Sequence, residues 1–114
     1  MRGVLKSALV LGAVMTAGLA IARDYTPQQL NRMIAAGRYP QQGPAQSQSK
    51  SMNFGDCKSR VRMIAGSVGG DYPVQTIADS GVMYSVKIWA NDGVTLATCS
   101  ALDRAMTLTM SRYR

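Results

Sequence analysis

The chain has 114 residues and a mass of 12.2 kDa, with 13 Lys+Arg against 6 Asp+Glu, a net charge of +7 and a pI near 9.9. At 46 % hydrophobic and 17 % charged residues it is too apolar for a disordered polyelectrolyte, and 11 Gly with 4 Pro are too few for a fibrous or low-complexity protein. It contains no His, and all of its acids are Asp, which removes the commonest general base and metal ligand and with them most routes to a hydrolase or a zinc site.

Arg2 and Lys6 precede an uncharged run from Ser7 to Ala22, after which Arg23 and Asp24 restore charge at once. This is the order of a secretory signal peptide. The run is short of the roughly 20 residues that span a bilayer as a helix, and Ala20-Ile21-Ala22 supplies a small-residue cleavage site. Residues 1–22 are therefore expected to be removed after Ala22, leaving a periplasmic chain without a transmembrane segment; an uncleaved anchor is the alternative. No Cys stands directly after the run to accept a lipid, the nearest being Cys57. Removing 22 residues and two of the 13 cations leaves 92 residues with a net charge of +5. Export places the two cysteines, Cys57 and Cys99, in an oxidising compartment where an even pair is expected to bond. The loop-entropy account assigns such a closure about 4 kcal/mol.

Residues 23–39 read as a short helical segment. Thr26-Pro27-Gln28-Gln29 gives an N-cap, a Pro at the first helical position and a Gln three residues after the cap, and Leu30, Met33 and Ile34 follow at helical spacing. The spacing predicts a helix from Pro27 to about Ala36, ended by Gly37 and kept from restarting by Tyr39-Pro40. Three apolar residues are too few to hold it alone, so it needs either the main domain or a partner. Residues 40–51, PQQGPAQSQSKS, have Ala45 as their one apolar member and read as a flexible linker.

Residues 52–114 read as a disulfide-stapled α+β domain. Phe54, Cys57, Val61, Ile64 and Val68 form one apolar stripe on a helix from about Asn53 to Ser67. After Pro73 the period changes from 3.6 to 2. Short strands are predicted at Val74–Ala78 and Val82–Trp89, then a hairpin at Asn91-Asp92-Gly93, and a last strand at Ala105–Arg112. A two-residue Asp92-Gly93 loop would set Cys99 opposite Val86 and Trp89 opposite Leu96, with Cys99 on the apolar face. A three-residue loop would move it to the other face. The expected fold is α+β: one helix packed on a four-stranded antiparallel meander, preceded by a short tethered N-terminal helix.

No nucleophile and base stand out by spacing, the cysteines do not form a C-x-x-C pair, and no cofactor or metal is implied. Net positive charge attracts phosphate, but the aromatics do not interleave with the basic cluster Lys58, Arg60 and Arg62, so nucleic acid is disfavoured. Those cations form a solvated helix face or an anion site, and peripheral contact with anionic lipid or cell wall is open to them. Trp89, with Leu96, lies opposite the helix-covered face and either packs there under the first helix or anchors a partner. If the first helix docks elsewhere, Leu30, Met33 and Ile34 are its contact residues.

The combination Asp24-Tyr25-Thr26-Pro27, Gln29-Leu30, Gly37, Tyr39-Pro40, Cys57, Tyr72-Pro73-Val74, Val86-Lys87-Ile88-Trp89, Asn91-Asp92-Gly93 and Thr98-Cys99-Ser100 resembles small exported proteins encoded beside type IV secretion genes on conjugative plasmids, of the host-killing KikA type. The resemblance implies a periplasmic accessory of conjugative transfer with no assigned active residues. A non-enzymatic protein that binds an envelope or secretion-system partner is the expectation. A secreted toxin or inhibitor is the alternative.

Overall fold

The computed structural model describes residues 23–114. The expected signal peptide and its cleavage site at 1–22 lie outside the described residues. The first helix, α1, spans Pro27–Ala35. Thr26 and Gln29 close the predicted capping box: the Gln29 backbone N–H donates to Thr26 Oγ1 at 3.1 Å and the Thr26 N–H to Gln29 Oε1 at 2.8 Å. At the other end Gly37 takes φ +73°. The Gly37 N–H then reaches the Ile34 carbonyl at 3.0 Å and the Arg38 N–H the Met33 carbonyl at 2.9 Å, a paired closure that satisfies the last carbonyls.

The segment expected to be a linker is instead a strand, β1, Gln42–Ser51. Alternating Gln and Ser offers no apolar face, so periodicity gave no sign of it. What fixes it is a neighbouring strand: β1 pairs antiparallel with the last strand, β5, Ala105–Tyr113. Hydroxyl contacts add to the backbone ladder, Ser47 with Thr109 at 2.9 Å and Ser49 with Thr107 at 2.8 Å. The sheet therefore has five strands rather than four. Between β1 and β5 lie a helix α2, Phe54–Val68, and strands β2, Val74–Asp79, β3, Met83–Trp89, and β4, Gly93–Ser100. The spatial order is β1-β5-β4-β3-β2, antiparallel throughout, with α2 connecting the two edge strands. Asn53 caps α2, its Oδ1 accepting from the Asp56 N–H at 2.8 Å.

The β3–β4 register differs from the expected one by two residues: Trp89 faces Val94, Lys87 faces Leu96, Val86 faces Ala97 and Tyr84 faces Cys99. The Ala90 N–H donates to the Gly93 carbonyl at 3.0 Å, so the two loop residues are Asn91 and Asp92. Gly93 belongs to β4, and a Cβ there would collide with the Ser111 carbonyl oxygen of β5. The glycine serves close strand approach and not the turn. A slip of two preserves the faces, so Cys99 remains on the apolar side.

That side carries α2. Cys57 and Val61 pack with Tyr84, Val86, Ile88, Ala97, Cys99 and Met106. The disulfide Cys57–Cys99 lies at the centre, with Cα atoms 5.8 Å apart and both residues fully buried. The apolar stripe departs from expectation at one position: Ala65 packs on the core, whereas Ile64 is 42 % exposed.

Segment 23–39 is not tethered loosely but laid on the opposite side of the sheet. Leu30, Trp89, Val94 and Tyr113 form a second buried cluster, flanked by Tyr25, Ile34 and Tyr72. The Tyr25 N–H donates to the Asn91 carbonyl at 2.8 Å, and the Asn31 side-chain amide to the Asp71 carbonyl at 2.9 Å. With β1 paired as well, no free tether separates α1 from the rest.

Candidate functional site

The residues singled out in the sequence fall in three places. Leu30 and Trp89 are 0 % and 1 % exposed in the cluster under α1, so each is consumed by the fold. The Trp89 indole N–H donates to Gln75 Oε1 at 3.0 Å, its ring lies 5.4 Å from that of Tyr39, and Lys87 Nζ sits 4.7 Å from its centroid. Ile34 packs against this cluster, while Met33 and Leu96 are half-buried. The alternative in which the first helix covers Trp89 is the one observed, and α1 does not present Leu30 to a partner.

Lys58, Arg60 and Arg62 share α2. Lys58 Nζ pairs with the Asp79 carboxylate at 3.2 Å and lies 5.4 Å from the Tyr84 ring and 6.0 Å from the Phe54 ring. The Arg62 guanidinium lies 5.5 Å from the same Tyr84 ring. Two of the three cations thus lie over aromatic faces, which attract a cation by the negative potential of the ring. Arg60 is exposed, and next along the helix Met63 and Ile64 are 70 % and 42 % exposed. The outer face of α2 therefore combines cations with uncovered apolar side chains, a composition suited to a protein or lipid-headgroup surface.

The third place was not anticipated. At the β3–β4 hairpin end, an open groove of about 730 Å³ is lined by Gly43, Pro44, Val94, Met110, Arg112 and Arg114 among others. Its signal in the sequence was hidden, because it depends on β1 lying beside β5. Tyr113 also borders the groove, and its phenol donates to the Ala90 carbonyl at 2.6 Å. Burial first, and then the charge of Asp92 and the phenol of Tyr25, push the Tyr113 phenol well above its ordinary value. It is a fixed donor rather than a base.

Among the described residues no group of three or more His, Cys, Asp or Glu side chains is gathered as a metal would require, and both cysteines are in the disulfide. No helix among them is long and apolar enough to cross a membrane. No protein-family model, curated protein or solved structure matches the chain.

Proposed function

We propose that this chain is an exported, non-enzymatic binding protein of the periplasm, accessory to an envelope assembly such as a conjugative type IV secretion system. The observation that carries the reading is the Cys57–Cys99 disulfide, buried where α2 meets the sheet. Such a bond forms and persists in an oxidising compartment, which agrees with the signal-like order of residues 1–24. The outer side of α2, with Arg60, Arg62, Met63 and Ile64, offers a partner both charge and apolar area. The resemblance to conjugative accessory proteins supplies the class of partner.

The test is made in conjugative donor cells. Removing the protein should lower transfer, and an R60A/R62A/M63A variant should fail to restore it while accumulating in the periplasm in oxidised form. Unchanged transfer in donors lacking the protein would overturn the assembly; protein retained in the cytosol with free thiols would overturn export.

A further inference from the structure

The two edges of the sheet are not alike. β2 is six residues long, follows Pro73, has a register irregularity between Thr76 and Ala78, and ends at Asp79, which is tied to Lys58. A short, bulged, charged edge resists pairing with another chain. β1 has ten residues, and from Ala45↔Ser111 to Ser51↔Ala105 its ladder with β5 runs through seven consecutive regular pairs. Its only irregularity and its only proline, Pro44, lie before that run. Every residue of the run is exposed, and its outer edge has no partner strand among the described residues.

We infer that the outer edge of β1 pairs antiparallel with β1 of a second copy of the chain, joining two five-stranded sheets edge to edge. The occupant follows from the composition of the strand. Folding the seven-residue run onto itself about its centre, Gln48, sets Gln48 opposite Gln48 of the other copy, Ser47 opposite Ser49, Gln46 opposite Lys50 and Ala45 opposite Ser51. The run has one charge, Lys50, and this register never places it against its own copy, although the whole described chain is cationic. Like charges directly opposite would oppose pairing. The Ser47–Ser49 pairing repeats across the new boundary the hydroxyl contacts already made by Ser47 with Thr109 and Ser49 with Thr107. Gln46, Gln48 and Lys50 project to the α2 side in both copies, where amide-to-amide and amide-to-ammonium hydrogen bonds are available to them. A single strand pair buries less than the roughly 1,200 Å² of a standard interface, so the association is reversible and concentration-dependent.

Sedimentation velocity on the oxidised protein, from micromolar to millimolar concentration, reads the dimer directly. Gln46→Glu places a carboxylate opposite Lys50 of the other copy, twice per dimer, and Gln46→Lys places a second ammonium there. The first should tighten and the second weaken self-association by about three- to tenfold each at low salt, with the gap narrowing at high salt. At concentrations low enough for the monomer to predominate, neither should change the thermal transition, because Gln46 is exposed and its neighbour on β5, Met110, carries no charge. Gln48→Cys should form a covalent dimer under mild oxidation, since residues facing each other across an antiparallel pair have Cα atoms ~4.5–5.5 Å apart, within disulfide reach. A chain that stays monomeric throughout, a dimer indifferent to both Gln46 variants, or Gln48→Cys that does not cross-link would each overturn the proposal, including the case in which β1 pairs with a strand of a different protein.

Discussion

Gly93 of β4 lies so close to the Ser111 carbonyl oxygen of β5 that the space a Cβ would need is already occupied. That proximity lets the strands meet beside the hairpin and sets Val94 and Ser111 opposite each other under the Trp89 cluster. Gly93→Ala must push backbone against backbone, which a rotamer change cannot relieve. We expect a loss of about 1–3 kcal/mol, in the range of overpacked interiors, measured by denaturant unfolding. Gly81→Ala is the control, because nothing lies within 4 Å of its Cβ position; a Gly93→Ala protein no less stable than that control would contradict the contact.

The Cys57–Cys99 bond closes a sequence separation of 42 and joins α2 to β4 in the middle of the larger core. Replacing either residue by Ser leaves a buried, unpaired thiol and hydroxyl and releases the loop. A cost of about 2–5 kcal/mol is expected. Non-reducing peptide mapping should find the two peptides linked in wild-type protein. A Cys99→Ser protein with an unchanged unfolding midpoint would show that helix–sheet packing holds without the bond.

Legibility followed hydrophobic contrast. The α1 cap and stop were readable because Thr26, Pro27, Gln29 and Gly37 act locally, each through its own backbone bond or φ value. The period-2 stretches from β2 to β5 and the side of the sheet occupied by Cys99 were readable for the same reason. β1 was not: Gln and Ser alternate without a difference in polarity, and the strand exists through β5, more than 50 residues away, as the pairs Ser47–Thr109 and Ser49–Thr107 show. The hairpin register failed because Asn-Asp-Gly marks a turn without saying whether Gly93 belongs to the loop or to a crowded strand. Of the candidate contact residues, the cations of α2 were correctly placed on one helix, but Leu30 and Trp89 were two halves of one core. Across a sequence separation of 59, the apolar edge of α1 and the second face of the sheet left packing together and docking on a partner equally open.

Tyr113 adds a pH dependence at the alkaline end. Its phenol is held protonated, above its ordinary value of 10.0, chiefly by burial. The folded state thus binds this proton more tightly than the unfolded chain. The stabilisation is complete below about pH 10 and is lost as the pH rises from there toward the folded-state value, because only the unfolded chain then ionises readily. Tyr113→Phe should remove this alkaline decline. At neutral pH it should cost about 0.5–1.5 kcal/mol for the hydrogen bond to the Ala90 carbonyl. Unfolding curves collected from pH 8 to 11 decide it. Parallel pH profiles for wild type and variant would mean that Tyr113 does not contribute.

Leu30 and Trp89 offer the most direct test of how α1 is held. Leu30 is the one fully buried residue of α1, and it packs with Trp89, Val94 and Tyr113 beneath the helix. The capping box and the glycine stop favour the helical conformation, but a nine-residue helix is marginal without tertiary packing. Truncation of this side chain should therefore act on the whole segment. Leu30→Ala is expected to cost about 2–5 kcal/mol, the range for a buried leucine whose site cannot fully collapse, and to loosen the cover over the only indole in the chain. Trp89 emission should shift to longer wavelength at temperatures below the main transition, and amide exchange should accelerate across 27–35 while the α2 core stays protected. Ile34→Ala, at a half-buried flank of the same cluster, should move both signals in the same direction by less. An unshifted Trp89 spectrum in Leu30→Ala, with an unchanged melting temperature, would show that α1 rests on the sheet without stabilising it.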